Sequence, residues 1–132
     1  MEQIKWKNRY RNFEKAFVQL TTAVKKDDVD EVVQAGIIQI FEFTFELAWK
    51  TLKDYLEFYG FKVPSPRDTI KQAYKEEYIG DGEIWLDALE KRNLMAHTYS
   101  EHDAKLAVEL IKEKYFIVIK ELYVFLKKEY KT

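Results

Sequence analysis

The chain has 132 residues, 47% of them apolar and 34% charged, with 22 basic and 23 acidic side chains for a net charge of -1. That balance excludes a disordered chain and a strongly basic nucleic-acid binder, so any contact with RNA must be local. Cysteine is absent, which removes disulfides, thiolate metal sites and cysteine nucleophiles and suits the cytoplasm.

The N-terminal residues Met1-Glu2-Gln3-Ile4-Lys5-Trp6-Lys7 are charged and lack a signal-type apolar stretch. No window approaches the run of about 20 apolar residues that a membrane span needs. The expectation is a soluble, cytoplasmic protein with no membrane partner. From about Trp6 to Lys25, the residues Tyr10, Phe13, Phe17, Leu20 and Val24 recur at three- and four-residue steps, one stripe of an amphipathic helix. Asp27 or Asp28 is then available to cap a second helix, running from about Val29 to Tyr59 and interrupted only by Gly36. At 1.5 Å per residue it would be roughly 46 Å long. One face carries Val29, Val33, Ile37, Ile40, Phe41, Thr44, Ala48, Leu52, Tyr55 and Tyr59, while Phe43, Phe45 and Leu47 point elsewhere. A helix apolar on two sides is either central in its own domain or also packed on a second subunit.

Gly60 is placed to end that helix in a left-handed conformation. Ser65-Pro66-Arg67-Asp68 offers a capping serine, a proline at the first helical position and an acid in the first turn, so a short helix follows from about Pro66 to Glu77. Gly80-Asp81-Gly82 is a turn, and Glu83 to about Met95 reads as a fourth helix with Trp85 and Leu89 inward. Ser100, with Asp103 three residues on, caps a last helix whose stripe is Ala107, Val108, Ile111, Tyr115, Val118, Leu122 and Phe125. No repeat, linker or alternating strand pattern occurs. The expected fold is therefore all-α, an antiparallel bundle of four to five helices with one long central helix, forming one domain over residues 1–132. Aromatic residues make up 16% of the chain, which serves either an ordinary core or a partner surface.

Chemistry concentrates in Arg92-Asn93-Leu94-Met95-Ala96-His97-Thr98-Tyr99. Arginine is a fork-like donor to phosphate oxygens, and histidine exchanges a proton near neutral pH. Acting on RNA, His97 would move a proton at the ribose 2′-hydroxyl or the leaving oxygen, Arg92 would neutralise charge at phosphorus, and Asn93 would hold the imidazole or the phosphate. On one helix Asn93 and His97 share a face, but Arg92 and His97 are about 140° apart. Convergence then requires the helix to end inside the motif, or a second subunit to complete the site across a two-fold axis. The plainer alternative is that Arg92 makes a surface ion pair and His97 is a polar residue near a helix end.

The order Arg-Asn-x-x-x-His-x-Tyr, standing here as Arg92, Asn93, His97 and Tyr99, resembles the HEPN superfamily. The segment Gln39-Ile40-Phe41-Glu42-Phe43-Thr44-Phe45-Glu46-Leu47-Ala48-Trp49-Lys50, then Ser65-Pro66-Arg67-Asp68 and Trp85-Leu86, are similar to its branch of nucleotidyltransferase substrate-binding proteins. The resemblance covers nearly the whole chain. It implies a HEPN-like helical homodimer partnered by a small nucleotidyltransferase of the MNT type, in a toxin-antitoxin pair where the HEPN protein cleaves RNA and the transferase neutralises it. Carried onto this chain, Arg92 and His97 would be the ribonuclease residues and Tyr99 the phenol that receives AMP. The sequence has no Gly-Ser with a downstream Asp-x-Asp pair, so it is not itself a nucleotidyltransferase and ATP chemistry must come from the partner.

Glu42, Glu46 and Lys50 follow at four-residue steps along one line of the long helix. They are either a solvated row of pairs or a support in which Glu42 or Glu46 holds Arg92 or His97, with Gln39 and Lys50 assisting. A metal site from His97, Glu101, His102 and Asp103 is not expected, since the spacing matches no helical metal motif, and no cofactor is implied. Lys127-Lys128-Glu129-Tyr130-Lys131 reads as a solvated helix end or, alternatively, an RNA contact. The competing function is a non-catalytic subunit that binds a nucleotide or other substrate for the transferase.

Overall fold

A computed structural model describes residues 2–96 and 100–132. The described residues form α1 (Glu2–Val24), α2 (Glu31–Phe58), α3 (Pro66–Lys75), α4 (Gly82–Ala96), α5 (Glu101–Leu110), a π-helical turn (Ile111–Tyr115) and α6 (Phe116–Tyr130). They contain no strand. Because α5, the π turn and α6 follow one another without a break, the architecture is five helical rods, at the upper end of the expected four to five.

The apolar periodicities explain the packing. Tyr10, Phe13, Phe17 and Leu20 of α1 are buried, as are Ala107, Val108, Ile111, Tyr115, Val118 and Leu122 along the last rod. The long helix is central, packed on α1, α3, α4, α5 and α6. Its second apolar side is only partly left over. Phe45, expected to point away from the main stripe, is fully buried, its ring 5.6 Å from that of Trp85 on α4. Tyr59, assigned to the inward stripe, is instead exposed. By length and mean hydropathy (1.2) α2 is also long and apolar enough to cross a membrane, against the expectation that no window comes near. Packing in the bundle core accounts for part of that apolarity, since 39% of the stretch is buried.

Helix boundaries follow local chemistry. Asp30, rather than Asp27 or Asp28, caps α2, its side chain accepting a hydrogen bond from the Val33 amide at 2.8 Å. Ser65 accepts from the Asp68 amide with Pro66 in the first turn, and Ser100 accepts from the Asp103 amide, both as expected. After α2, the Gly60 amide donates to the Glu57 carbonyl and the Phe61 amide to the Leu56 carbonyl, with Gly60 at φ 91°. This is the six-to-one and five-to-two closure that requires a left-handed residue. After α3 the same pair of bonds, Glu77 to Tyr74 and Tyr78 to Ala73, forces a non-glycine, Glu77, to φ 62°.

Candidate functional site

Arg92 lies in the next-to-last turn of α4, where Trp85, Ala88 and Met95 fix the helix against the core. Those anchors turn Arg92 towards α2. Its Nη1 donates to Glu46 Oε2 at 2.6 Å, and the other oxygen of that carboxylate, Oε1, is 3.4 Å from Lys50 Nζ. Thus two cations from two helices share one carboxylate. The Arg92 side chain is 22% exposed, and its Nε is buried without a hydrogen-bond partner among the described residues. The buried Nε is out of a ligand's reach, but the terminal nitrogens of this partly exposed guanidinium could still donate outward to a phosphate or carboxylate oxygen.

Of the residues expected at the site, the structure therefore brings together Arg92, Glu46 and Lys50. Glu42 stands one turn before Glu46 and is half-buried, while Gln39 is exposed on the same helix. Asn93 belongs to α4, but its side chain, like all of His97 and Tyr99, lies outside the described residues. The convergence of Arg92 with His97 is thus untouched by this geometry. A cavity of about 270 Å³ opens between α2 and the start of α5, lined by Glu31, Gln34, Ala35, Ile38, Ser100, Glu101 and Ala104.

Sequence reasoning missed a second polar anchor on α4. The Tyr115 hydroxyl, carried by the π turn, donates to Asp87 Oδ2 at 2.5 Å, and Lys91 Nζ is 3.2 Å from Asp87 Oδ1. Burial pushes the Asp87 carboxyl up, but the hydrogen bonds from Tyr115 and Lys91 and the charges of Lys91 and Lys114 outweigh it and hold the group below the usual carboxylate range. Burial and the hydrogen bond to Asp87 push the Tyr115 phenol well above its usual value. The four-residue step from Asp87 to Lys91 was readable as a helix pair. The contact with Tyr115 was not, because it depends on a wide turn that periodicity does not announce.

Residues 8–128 match the family model described as nucleotidyltransferase substrate binding protein like. The chain belongs to that family. It is the HEPN-type, HepT-like grouping that the motif and the long-helix segment point to. Among curated proteins, "Probable ribonuclease HepT" of Haemophilus influenzae is 34% identical over 86 residues, 58% of this chain and 56% of the relative. The matched stretch thus spans little more than half of that protein's length. Among solved structures, a protein of Thermus thermophilus known from its crystal structure superposes with a TM-score of 0.77 at 30% identity, covering 83% of this chain and 94% of the other. The two chains therefore share one helical fold.

Proposed function

We propose that this family member is a cytoplasmic, single-domain endoribonuclease that cleaves RNA without a metal, works as a homodimer and is neutralised by a cognate nucleotidyltransferase of the MNT type. The observation that carries the reading is the half-buried Arg92, held at 2.6 Å by Glu46 with an unsatisfied Nε, at the head of an intact Arg-Asn-x-x-x-His-x-Tyr motif. The name of the Haemophilus relative, a ribonuclease, supports the same chemistry.

In the proposed reaction the ribose 2′-oxygen attacks the adjacent phosphorus as the bond to the 5′-oxygen breaks. His97 accepts the 2′-hydroxyl proton or delivers one to the departing 5′-oxygen, leaving a 2′,3′-cyclic phosphate and a 5′-hydroxyl. Arg92 offsets the negative charge that grows on the non-bridging oxygens. Glu46 keeps the guanidinium on station, Lys50 limits how much of the Glu46 charge reaches it, and Asn93, Gln39 and Glu42 assist in binding. A two-fold arrangement would bring Arg92 of one subunit to His97 of the other. Support for it comes from the outer face of α2, where Val32 is 81% and Phe43 58% exposed, large apolar side chains on the helix that carries Glu46.

For Tyr99, the proposal is that its phenol oxygen attacks the α-phosphorus of ATP on the partner transferase, releasing pyrophosphate and leaving AMP on the ring. The added charge beside His97 would repel RNA phosphates. The deciding experiment is cleavage of total RNA in EDTA by the wild type beside His97→Ala. Cyclic-phosphate ends from the wild type alone are expected. Absence of cleavage would favour the second reading, a non-catalytic subunit that presents a nucleotide or other substrate to the transferase, which the family's description as substrate binding favours.

A further inference from the structure

Helices α1 and α6 meet along a seam of aromatic rings. Tyr10 and Phe17 on α1, and Phe116, Tyr123 and Tyr130 on α6, recur at seven-residue steps and interleave. Tyr130 stacks on Tyr10 with ring centroids 4.8 Å apart, Tyr10 on Tyr123 at 6.1 Å, Tyr123 on Phe17 at 4.4 Å, and Phe17 on Phe116 at 5.6 Å. Tyr130 and Tyr123 are half-buried, so each keeps part of its surface in solvent.

Cations rim the open side of the ladder. Lys7 Nζ is 5.4 Å and the Arg11 guanidinium carbon 6.0 Å from the centre of the Tyr130 ring, and Lys127 Nζ is 5.7 Å from that of Tyr123. Arg11 Nε also donates to the Tyr130 hydroxyl at 2.9 Å. None of the three makes an ion pair with a described residue; the paired cations are Lys5, Arg9, Lys50, Lys53, Lys91 and Arg92. The nearby acids are differently employed. Glu14 accepts from the hydroxyls of Tyr10 and Tyr123 at 3.0 and 2.6 Å, and Glu129 from that of Tyr55 at 2.5 Å. Positive charge is thus left without a carboxylate partner, exposed on Arg11 and Lys127 and half-buried on Lys7, while the carboxylates accept hydrogen bonds from phenols.

We infer that the seam of α1 and α6 is a second RNA contact, apart from Arg92, that holds a single strand by its phosphates on Lys7, Arg11 and Lys127; Lys7 and Arg11, which lie over the Tyr130 ring, would leave it for the phosphates and open it to a base. Unpaired cations supply sequence-independent affinity for a polyanion, and half-exposed rings beside them distinguish a nucleic-acid strand, whose bases stack, from an acidic peptide, which offers charge alone. The assignment to RNA rests on the ribonuclease reading, and it explains how a chain of net charge -1 would gather its substrate.

The test is binding of a fluorescein-labelled 2′-O-methyl oligouridine, which cannot be cleaved through its 2′-oxygen, followed by anisotropy over a series of salt concentrations. In the full-length Lys7→Gln/Arg11→Gln/Lys127→Gln variant, with helicity and melting temperature retained, the slope of log affinity against log salt should become shallower by about 2, from three lost phosphate contacts. Tyr130→Leu should weaken binding about tenfold, and Tyr130→Phe much less. Unchanged affinity and slope in the triple variant would overturn the proposal. Poly-glutamate bound as tightly as the oligouridine, and lost in the triple variant, would overturn the RNA assignment in favour of an acidic protein partner. The ribonuclease reading fails separately: a wild type that cuts no RNA, yet shows the slope change, leaves the seam standing as a strand-binding surface.

Discussion

Two helix contacts in this bundle are built on opposite plans. Where α1 meets α6, stacked rings fill the interface and acids accept hydrogen bonds from phenols, as with Glu14 between Tyr10 and Tyr123. Where α4 meets α2 at Arg92, a guanidinium and an ammonium share the single carboxylate of Glu46, and a buried donor is left over. The first arrangement gains its stability from apolar burial and ring contacts, with Lys7, Arg11 and Lys127 set beside the rings. The second contributes less to folding, because exposed and half-exposed ion pairs are weak, and keeps a cation ready for a ligand. Apolar burial is thus concentrated where α1 meets α6, and the cation proposed for the cleavage step sits where α4 meets α2.

Truncating one ring of the seam should give the largest change in folding. Phe17→Ala is expected to lower stability by about 3–5 kcal/mol, read from urea midpoints, because Phe17 is buried between Tyr123 and Phe116. A loss below about 1 kcal/mol would mean the seam collapses freely around the gap. At the other contact, Arg92→Ala should reduce RNA cleavage by a factor of about 10²–10³ with a urea midpoint close to wild type. Unfolding of that variant would erase the distinction between the contacts, and unchanged cleavage would remove Arg92 from the chemistry. Arg9→Ala falls between, since it strips the 2.6 Å partner from Asp54, whose side chain is only 4% exposed. A loss of about 2 kcal/mol is expected, below the range for a fully buried pair because Arg9 itself is partly solvated and Lys5 remains nearby.

The buried phenols of α1 and α2 and the Asp87 anchor on α4 should also separate by pH. Burial, then hydrogen bonds with Tyr123 and Glu14, push the Tyr10 phenol well above its usual value, and burial with the Glu129 hydrogen bond does so for Tyr55. A raised phenol favours the folded state fully below the unfolded value of about 10, and that contribution is lost as pH climbs beyond it. Circular dichroism should show helix lost above about pH 10, with phenolate absorbance rising in step, and Tyr10→Phe should make the loss less steep. Asp87, lowered, behaves in the opposite sense. Its contribution is present above the unfolded value of about 4 and disappears as pH falls below it, so Asp87→Asn should flatten the acid limb of the stability curve. The smallest expected effect is at the end of α3, where Glu77→Gly should stabilise by about 1 kcal/mol by relieving a left-handed non-glycine.

The α1 half of the seam was legible in the amino-acid pattern alone, because Tyr10, Phe13 and Phe17 follow helical periodicity, but the α6 half was not: the expected stripe ran through Val118, Leu122 and Phe125 and passed over Phe116, Tyr123 and Tyr130. The Ser65-Pro66 and Ser100 caps stood out by their distinctive chemistry. The start of α2 was harder. Asp27, Asp28 and Asp30 are equally good caps by residue type, and only the packing of Val33 and Ile37 decides for Asp30. Tyr59 was misplaced because periodicity does not tell where a helix outruns its neighbours. At the site, the line from Glu42 through Glu46 to Lys50 stood out, and so did Arg92, but nothing local says which carboxylate a guanidinium 46 residues away will take. Arg9 and Asp54, 45 residues apart, gave no signal at all, since each is individually an ordinary charged residue on a helix.

The wide turn at Ile111–Tyr115 also bears on how this architecture tolerates change in length. A π turn closes its hydrogen bonds over one residue more than an α turn, so the last rod accommodates a surplus residue without breaking. Deleting Glu113, exposed within that turn, would allow the rod to close as an ordinary α-helix. Such a shortened chain should still fold, but Tyr115 would be re-aimed and its bond to Asp87 given up. The extra residue is thus dispensable for making a helix and needed for tying that helix to the one that carries Arg92.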